Sequence, residues 1–135
     1  MSLNGWKINL QVCYDLRFPV WSKNSYENGT HAYDVLIYAA NWPEVRSHAY
    51  KSLLLARAIE NQAYVIWVNR VGEDGNKIKH SGDTMIVDPY GKIIQQAKPF
   101  KEESLFVTLS YSKLTDFRSK FKVGLDWDNY SISYL

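Results

Sequence analysis

Apolar and polar residues alternate near the start of the chain. Apolar side chains occupy positions 8, 10 and 12, and polar ones occupy positions 9 and 11. This period of two predicts a β-strand that ends at Cys13. Residues 34–41 and 63–71 are almost continuously apolar, which is typical of strands buried on both faces.

Between these strands, and again near the end of the chain, the sequence has a helical pattern. Residues 17–29 predict a helix with Pro19 in its first turn and Gly29 at its end. Residues 43–62 predict the longest helix, because their apolar positions recur at steps of three and four. Residues 112–121 predict a short third helix.

The remaining segments predict strands, turns and a tail. Residues 84–97 predict two strands joined by the turn sequence DPYG at 88–91, and residues 72–77 predict another turn. Residues 104–111 predict a further strand, and residues 122–135 an extended tail. Because strands and helices alternate early in the chain and a hairpin follows, we expect an α/β fold with a mixed sheet.

Composition narrows the class of protein. The 135 residues suit one domain, 1–135, and 46% of them are hydrophobic, enough for a core. The 16 basic and 14 acidic residues are interleaved, so we expect no nucleic-acid partner. No apolar run approaches the roughly 20 residues of a membrane span. A single cysteine forms no internal disulfide, which favours a cytoplasmic location.

Cys13 is the first candidate for chemistry. It is expected at the end of a buried strand just before a helix, where backbone N–H groups and the helix dipole stabilise a thiolate. The N–H of Tyr14 would then be placed to stabilise an oxyanion. The competing interpretation is that Cys13 is a small buried hydrophobic residue, as many free cysteines are.

Other candidates lie near Cys13 or at the next strand end. Arg17 has the geometry to bind a substrate carboxylate, or it pairs with an acid such as Asp15 or Glu44. Asn41 and Trp42 follow the second strand, at the edge where α/β sheets bind ligands, although Trp42 could instead only start a helix.

The remaining candidates for chemistry are an Arg–Glu pair and the three histidines. Arg57 and Glu60, three apart on the long helix, are expected to form a structural ion pair. His48 or His80 would be needed for a Cys–His hydrolase, but no spacing places either beside Cys13. The three histidines lack metal-ligand spacing and no glycine-rich phosphate loop is present, so no metal or cofactor is expected.

Four segments together resemble one enzyme family. They are VCYDLRFP, YDVLIYAANWPEVRSHAYKSLLLARAIENQAYVIWVNRVGEDG, SGDTMIVDPYGKII and DFRSKFKVGLDWD. In this order they resemble the nitrilase superfamily of carbon–nitrogen hydrolases over about residues 7–128. Within it they are similar to the amidase branch that contains ω-amidases and deaminated glutathione amidases.

The resemblance implies an αββα sandwich, of which this chain would be the C-terminal half, a mixed sheet with helices on one face. It implies hydrolysis of a small ω-amide through a thioester on Cys13, with the Tyr14 N–H stabilising the oxyanion. It also implies that Arg17 binds the substrate carboxylate and that Asn41 and Trp42 belong to the substrate pocket.

The chain departs from the family pattern before the cysteine. The family's general-base Glu and its Lys both precede the cysteine, whereas only twelve residues precede Cys13 and none is Glu. Lys7 is the only Lys among them, and six residues of strand put it roughly 20 Å from Cys13. The chain enters a core-type strand so early that we expect it to be a piece of a longer sequence.

Three expectations follow from this departure. The chain alone should be inactive, because no base or acid accompanies the thiol. One sheet face should be uncovered, which favours a homodimer or pairing with the missing N-terminal half. The alternative to an amidase is a non-catalytic association module of the same fold.

Overall fold

The computed structural model describes residues 1–133. The strands among them are β1 (Ser2–Leu3), β2 (Trp6–Val12), β3 (Tyr26–Glu27), β4 (Thr30–His31), β5 (Val35–Ala40), β6 (Tyr64–Asn69), β7 (Val71–Glu73), β8 (Lys79–Ser81), β9 (Met85–Val87) and β10 (Ile93–Gln96). The α-helices are α1 (Pro19–Ser22), α2 (Ser47–Asn61) and α3 (Tyr111–Lys120). Short 3₁₀ helices cover Cys13–Arg17, Glu44–Arg46 and Val123–Asp126.

Six strands form one mixed sheet, in the order β1-β2-β5-β6-β9-β10. The central strands β2, β5 and β6 are parallel, and helical segments connect β2 to β5 and β5 to β6. The β1–β2, β6–β9 and β9–β10 pairs are antiparallel. The predicted α/β class and mixed sheet are therefore confirmed.

Helix α2 covers one face of the sheet and closes the main core. Its Tyr50, Leu54 and Ala58 are buried against sheet residues such as Leu36 and Trp67. Complete burial of a side chain such as Leu54 contributes about 1.5–3 kcal/mol relative to exposure. Cys13 and Trp42, which lie at the strand ends, pack against the same core as α2.

The second face of the sheet is largely open. The register aligns Leu10, Ile37 and Ile66 across β2, β5 and β6. Near the carboxyl ends of the strands, Val12 is 65% exposed and Val68 is 49% exposed. The open face is thus an apolar surface, as the predicted half-sandwich requires.

Helix α3 packs at the opposite end of this second face. Its Leu114 is buried with Val35 and Tyr64 in a cluster separate from the main core. Arg118 of α3 forms a buried ion pair with Asp34, with 2.6 Å between Nη1 and Oδ1. Helix α2 thus covers one face of the sheet, and α3 covers one end of the other face.

The predicted helix over residues 17–29 is wrong. Only the single turn α1 and the preceding 3₁₀ helix are helical, and the rest forms the β3–β4 hairpin. Asn28 (φ 51°) and Gly29 (φ 77°) are both left-handed, as a two-residue hairpin turn requires. Asn-Gly is a strong hairpin signal, so Gly29 closes a turn between strands instead of ending a helix.

The predicted strand over residues 104–111 is also wrong. Residues 104–110 belong to no sheet of the described chain, and Phe106 is 86% exposed. Residues 101–107 line a cleft with Ile66, Val68 and Ile86 at the open face. A strand needs a neighbouring backbone for its hydrogen bonds, and this segment has none within residues 1–133.

Other predicted elements are confirmed. Helix α2 with the 3₁₀ turn before it covers most of residues 43–62, and α3 differs from its prediction by one residue. Asp88 closes the predicted turn by accepting from the N–H groups of Tyr90 and Lys92. The predicted tail contains the third 3₁₀ helix, and its last two residues lie outside the described ones. No helix of the described chain is long and apolar enough to cross a membrane.

Candidate active site

Three parallel strands bring the candidate site together at their carboxyl ends. Cys13 follows β2, Asn41 and Trp42 follow β5, and Asn69 is the last residue of β6. Parallel strands end at the same edge of a sheet, and that edge is where open α/β folds bind ligands.

Cys13, Asn41 and Trp42 line a single cleft of about 340 Å³. All five residues singled out from the sequence are there: Cys13, Tyr14, Arg17, Asn41 and Trp42. Pro43 and Arg46 complete the lining and were not identified from the sequence. The cleft joins a half-buried thiol to an arginine and an indole ring, a combination able to hold an anionic acyl group beside a nucleophile.

Cys13 has a strained backbone. Its φ of 36° lies in the left-handed region, which costs an ordinary residue roughly 1–2 kcal/mol. The Val12 N–H donates to Oδ2 of Asp15 at 2.9 Å and holds the turn closed. Such strain is common at functional sites, where the surrounding structure keeps a side chain in one orientation.

The helix expected to support the thiol is much shorter than predicted. Cys13 begins a five-residue 3₁₀ helix, and α1 adds only four residues. A helix dipole sums over its peptide units, so these short segments provide little of it. The Tyr14 N–H still lies in the first turn, where amides lack acceptors within the helix.

Arg17 stacks on aromatic rings. Its Cζ lies 4.7 Å from the centre of the Trp42 ring and 5.9 Å from that of Tyr14. Within residues 1–133 it forms no ion pair, so the predicted alternative of a bridge to Asp15 or Glu44 is wrong. Stacking holds the guanidinium by its face and leaves its in-plane N–H groups free for a ligand.

Trp42 is held by the side chain of Asn69. Oδ1 of Asn69 accepts from the Trp42 N–H at 2.8 Å, and Nδ2 donates to the Trp42 carbonyl at 3.1 Å. The same Nδ2 donates to the Gly82 carbonyl at 3.0 Å. One buried amide therefore fixes the loop that carries Arg17's stacking partner. Sequence reasoning missed Asn69, although a polar residue closing an apolar strand was a usable signal.

The ion pair and the histidines have other roles. Arg57 binds Glu60 at 2.8 Å, as predicted, and donates to the Leu16 carbonyl at 2.7 Å, which supports the turn after Cys13. His80 is buried with Nδ1 3.0 Å from the Ile78 carbonyl, and neither it nor His48 lines the cleft. The Cys–His alternative has no geometric support.

Lys7 lies away from the cleft. Its Nζ donates to the His31 carbonyl at 2.9 Å near the start of β2, whereas Cys13 follows the end of that strand. This placement agrees with the expectation that Lys7 is not the family's missing Lys. Of the residues that the structure describes, no acidic one lines the cleft either. Among residues 1–133, no three His, Cys, Asp or Glu side chains are grouped as metal ligands.

Comparison with known proteins defines the class. The carbon-nitrogen hydrolase family model matches residues 1–119, and the chain belongs to this family. It is 45% identical to the omega-amidase YafV of Escherichia coli K12 over 128 residues, covering 95% of this chain and 48% of that protein. It is 38% identical over 95 residues to the 2-oxoglutaramate amidase of Bacillus subtilis, covering 70% of this chain and 35% of that protein.

Solved structures agree with this assignment. A CN-hydrolase superfamily protein of Xanthomonas campestris, with an arsenic adduct in its active site, superposes with a TM-score of 0.95 at 40% identity. The match covers 98% of this chain and 51% of that one. The chain thus spans about half the length of the omega-amidase and of this structure.

Proposed function

We propose that this chain is the cysteine-bearing half of an amidase that hydrolyses small ω-amides to acids and ammonia. The observation that carries the proposal is the convergence of Cys13, Arg17 and Trp42 in one cleft at the carboxyl edge of the sheet. The similarity to an omega-amidase and a 2-oxoglutaramate amidase supports this substrate class. We propose a cytoplasmic location, because this chain has one cysteine and forms no disulfide within itself.

In the proposed reaction the Cys13 thiolate attacks the amide carbon while Arg17 binds the substrate carboxylate. The Tyr14 N–H donates to the oxyanion of the tetrahedral intermediate. The intermediate collapses to a thioester as the C–N bond breaks and the nitrogen leaves as ammonia with an added proton. Water then hydrolyses the thioester, which releases the acid and restores the thiol.

The chain alone lacks two groups that this reaction needs. In the part of the chain that the structure describes, no acidic side chain lines the cleft to accept the thiol proton and deliver it to the leaving nitrogen. We propose that the family's Glu and Lys come from the other half of the enzyme, and that this chain is inactive without it.

The test is to co-express this chain with the segment of the E. coli omega-amidase that carries the family's Glu and Lys. The purified pair should release ammonia from 2-oxoglutaramate, whereas either part alone should not. Cys13→Ala should abolish release without preventing pairing. Release at a normal rate from this chain alone would refute its predicted inactivity, and an inactive but fully formed pair would refute the amidase proposal.

A non-catalytic association module remains the second candidate, and the open apolar face of the sheet favours it. The two functions predict different reactivities of the Cys13 thiol. In the assembled pair, a catalytic Cys13 should be alkylated by iodoacetamide much faster than a cysteine of the denatured chain. A leftover Cys13 should react like an ordinary thiol in both states.

A further inference from the structure

Arg46 is a second cation in the cysteine cleft. It ends the 3₁₀ helix Glu44–Arg46, which follows directly on the Trp42-Pro43 turn. Its backbone N–H donates to the Pro43 carbonyl at 3.1 Å, which ties the residue to the cleft wall. Its exposed side chain lines the cleft together with Cys13 and Arg17.

The arginines of the chain fall into two groups. Arg57, Arg70 and Arg118 donate to acceptors of the protein, namely Glu60, the Glu73 carbonyl and Asp34. Arg17 and Arg46 have no hydrogen bond or ion pair from their guanidinium groups within residues 1–133. The two arginines with unused donors are thus the two that share the cleft with the thiol.

Among the described residues 1–133, no carboxylate side chain lines this cleft to balance the two positive charges. Each guanidinium presents five N–H donors, and an ionised carboxylate has about four acceptor sites in its plane. One substrate carboxylate therefore has enough acceptors to be shared by two arginine forks. A neutral group in the same position would leave both charges uncompensated.

We propose that Arg46 is a second carboxylate-binding residue, and that Arg17 and Arg46 together hold the free carboxylate of the substrate. Arg17 is fixed by its stacking on Trp42, whereas Arg46 closes on the anion from the other loop. The cleft then selects monoamides of dicarboxylic acids over neutral amides. This inference rests on the proposed function for the position of the acyl group, but its test does not use catalysis.

The test measures how glutarate protects Cys13 from alkylation by iodoacetamide. Cys13 is the only cysteine, so mass spectrometry follows one site. Glutarate should protect the folded chain and should have no effect in concentrated urea. Arg46→Gln should raise the glutarate concentration for half-protection roughly tenfold, as expected for loss of a charged hydrogen bond at an accessible site. Arg17→Gln should have a similar effect.

Matched controls distinguish direct binding of glutarate by Arg46 from a general effect of the protein's net charge. Arg70→Gln removes the same charge outside the cleft and should change half-protection by less than about twofold. Arg46→Lys should recover part of the protection, and protection by the neutral diamide glutaramide should not depend on Arg46. Circular dichroism checks that each variant is folded.

Two results would overturn the inference. One is that Arg46→Gln behaves like Arg70→Gln, and the other is that glutarate gives the folded wild-type chain no protection. Neither result bears on the ammonia assay, which tests the amidase proposal itself. Failure of the two ideas is therefore distinguishable.

Discussion

At the scale of single residues, the candidate site depends on polar side chains that fix backbone. Asp15 holds the strained turn at Cys13, and Asn69 holds both the N–H and the carbonyl of Trp42. Neither side chain lines the cleft. These two side chains hold the backbone that positions the Cys13 thiol and the Trp42 indole. Their effect can therefore be measured as a change in the free energy of unfolding.

Asn69→Asp is predicted to destabilise the fold. The change keeps an acceptor for the Trp42 N–H but sets a buried negative charge against the carbonyls of Trp42 and Gly82. We expect a loss of about 2–4 kcal/mol in the free energy of unfolding, measured with urea. Asn76→Asp on an exposed turn is the control and should change stability by less than about 0.5 kcal/mol. Equal effects of the two changes would contradict the role of Asn69.

His31 is predicted to make stability depend on pH. Burial, helped by Arg118 and Lys7 and opposed by Asp34, lowers its pKa from 6.5 to about 4. The folded protein therefore keeps a neutral ring that the unfolded chain protonates below pH 6.5. The stabilisation from neutral His31 is complete above that pH and is lost as pH falls towards 4.

The comparison with His31→Gln isolates this effect. The difference in free energy of unfolding between wild type and variant should be constant above about pH 7 and should shift against the wild type between pH 6.5 and 4. Denaturant titrations across this range provide the measurement. A difference that does not vary with pH would show that His31 does not titrate in this way.

At the scale of elements, two glycines in left-handed turns differ in their surroundings. Gly29 (φ +77°) closes the β3–β4 hairpin, and a Cβ there would meet nothing within 4 Å. Gly91 (φ +81°) closes the turn before β10, and a Cβ there would lie 2.6 Å from Cδ1 of Ile59 on α2. The second turn is therefore also a packing contact between the sheet and α2.

Gly91→Ala is predicted to cost more than Gly29→Ala. Gly29→Ala should lose about 1 kcal/mol of unfolding free energy through backbone strain alone. Gly91→Ala should lose an additional 1–2 kcal/mol or so, because Ile59 must move. Adding Ile59→Ala should remove this extra loss in a double-mutant cycle, followed by chemical denaturation. Equal costs for the two glycine changes would show that the close approach does not matter.

At the scale of the whole molecule, the open sheet face is the main liability. Leu10, Val12 and Val68 are exposed on it, and large exposed apolar surfaces tend to acquire partners. We expect the isolated chain to self-associate through this face, and we propose that the missing half of the amidase would compete for the same face.

Val68→Lys should therefore reduce self-association. Sedimentation velocity should show less oligomer than for the wild type at the same concentration, because a buried lysine at the contact is unfavourable. Val45→Lys is the control, since Val45 is 85% exposed and precedes α2 on the covered side. Equal loss of association in both variants would mean that net charge, not this face, governs it.

The sequence alone predicted the parallel strands, α2, α3 and the turn at Asp88. Each of these elements leaves its own local pattern of apolar, polar and turn-forming residues. The sequence also placed Cys13, Asn41 and Trp42 at strand ends and Tyr14 and Arg17 just after Cys13, and the family resemblance then gave all five a role in one active site. The pattern fails at residues 17–29, because Gly29 favours both the end of a helix and a hairpin turn, and here it closes the β3–β4 hairpin.

Only the tertiary structure decided which residues share the cleft. Arg46 carries no local pattern that marks it, and Asn69 gains its role only by binding the backbone of Trp42, because β5 and β6 end at one edge in register. Residues 104–110 have the composition of a strand but pair with no strand within residues 1–133. A paired strand and a site both depend on contacts between segments that are distant in sequence. A local sequence pattern describes one segment and does not identify the segment that it contacts.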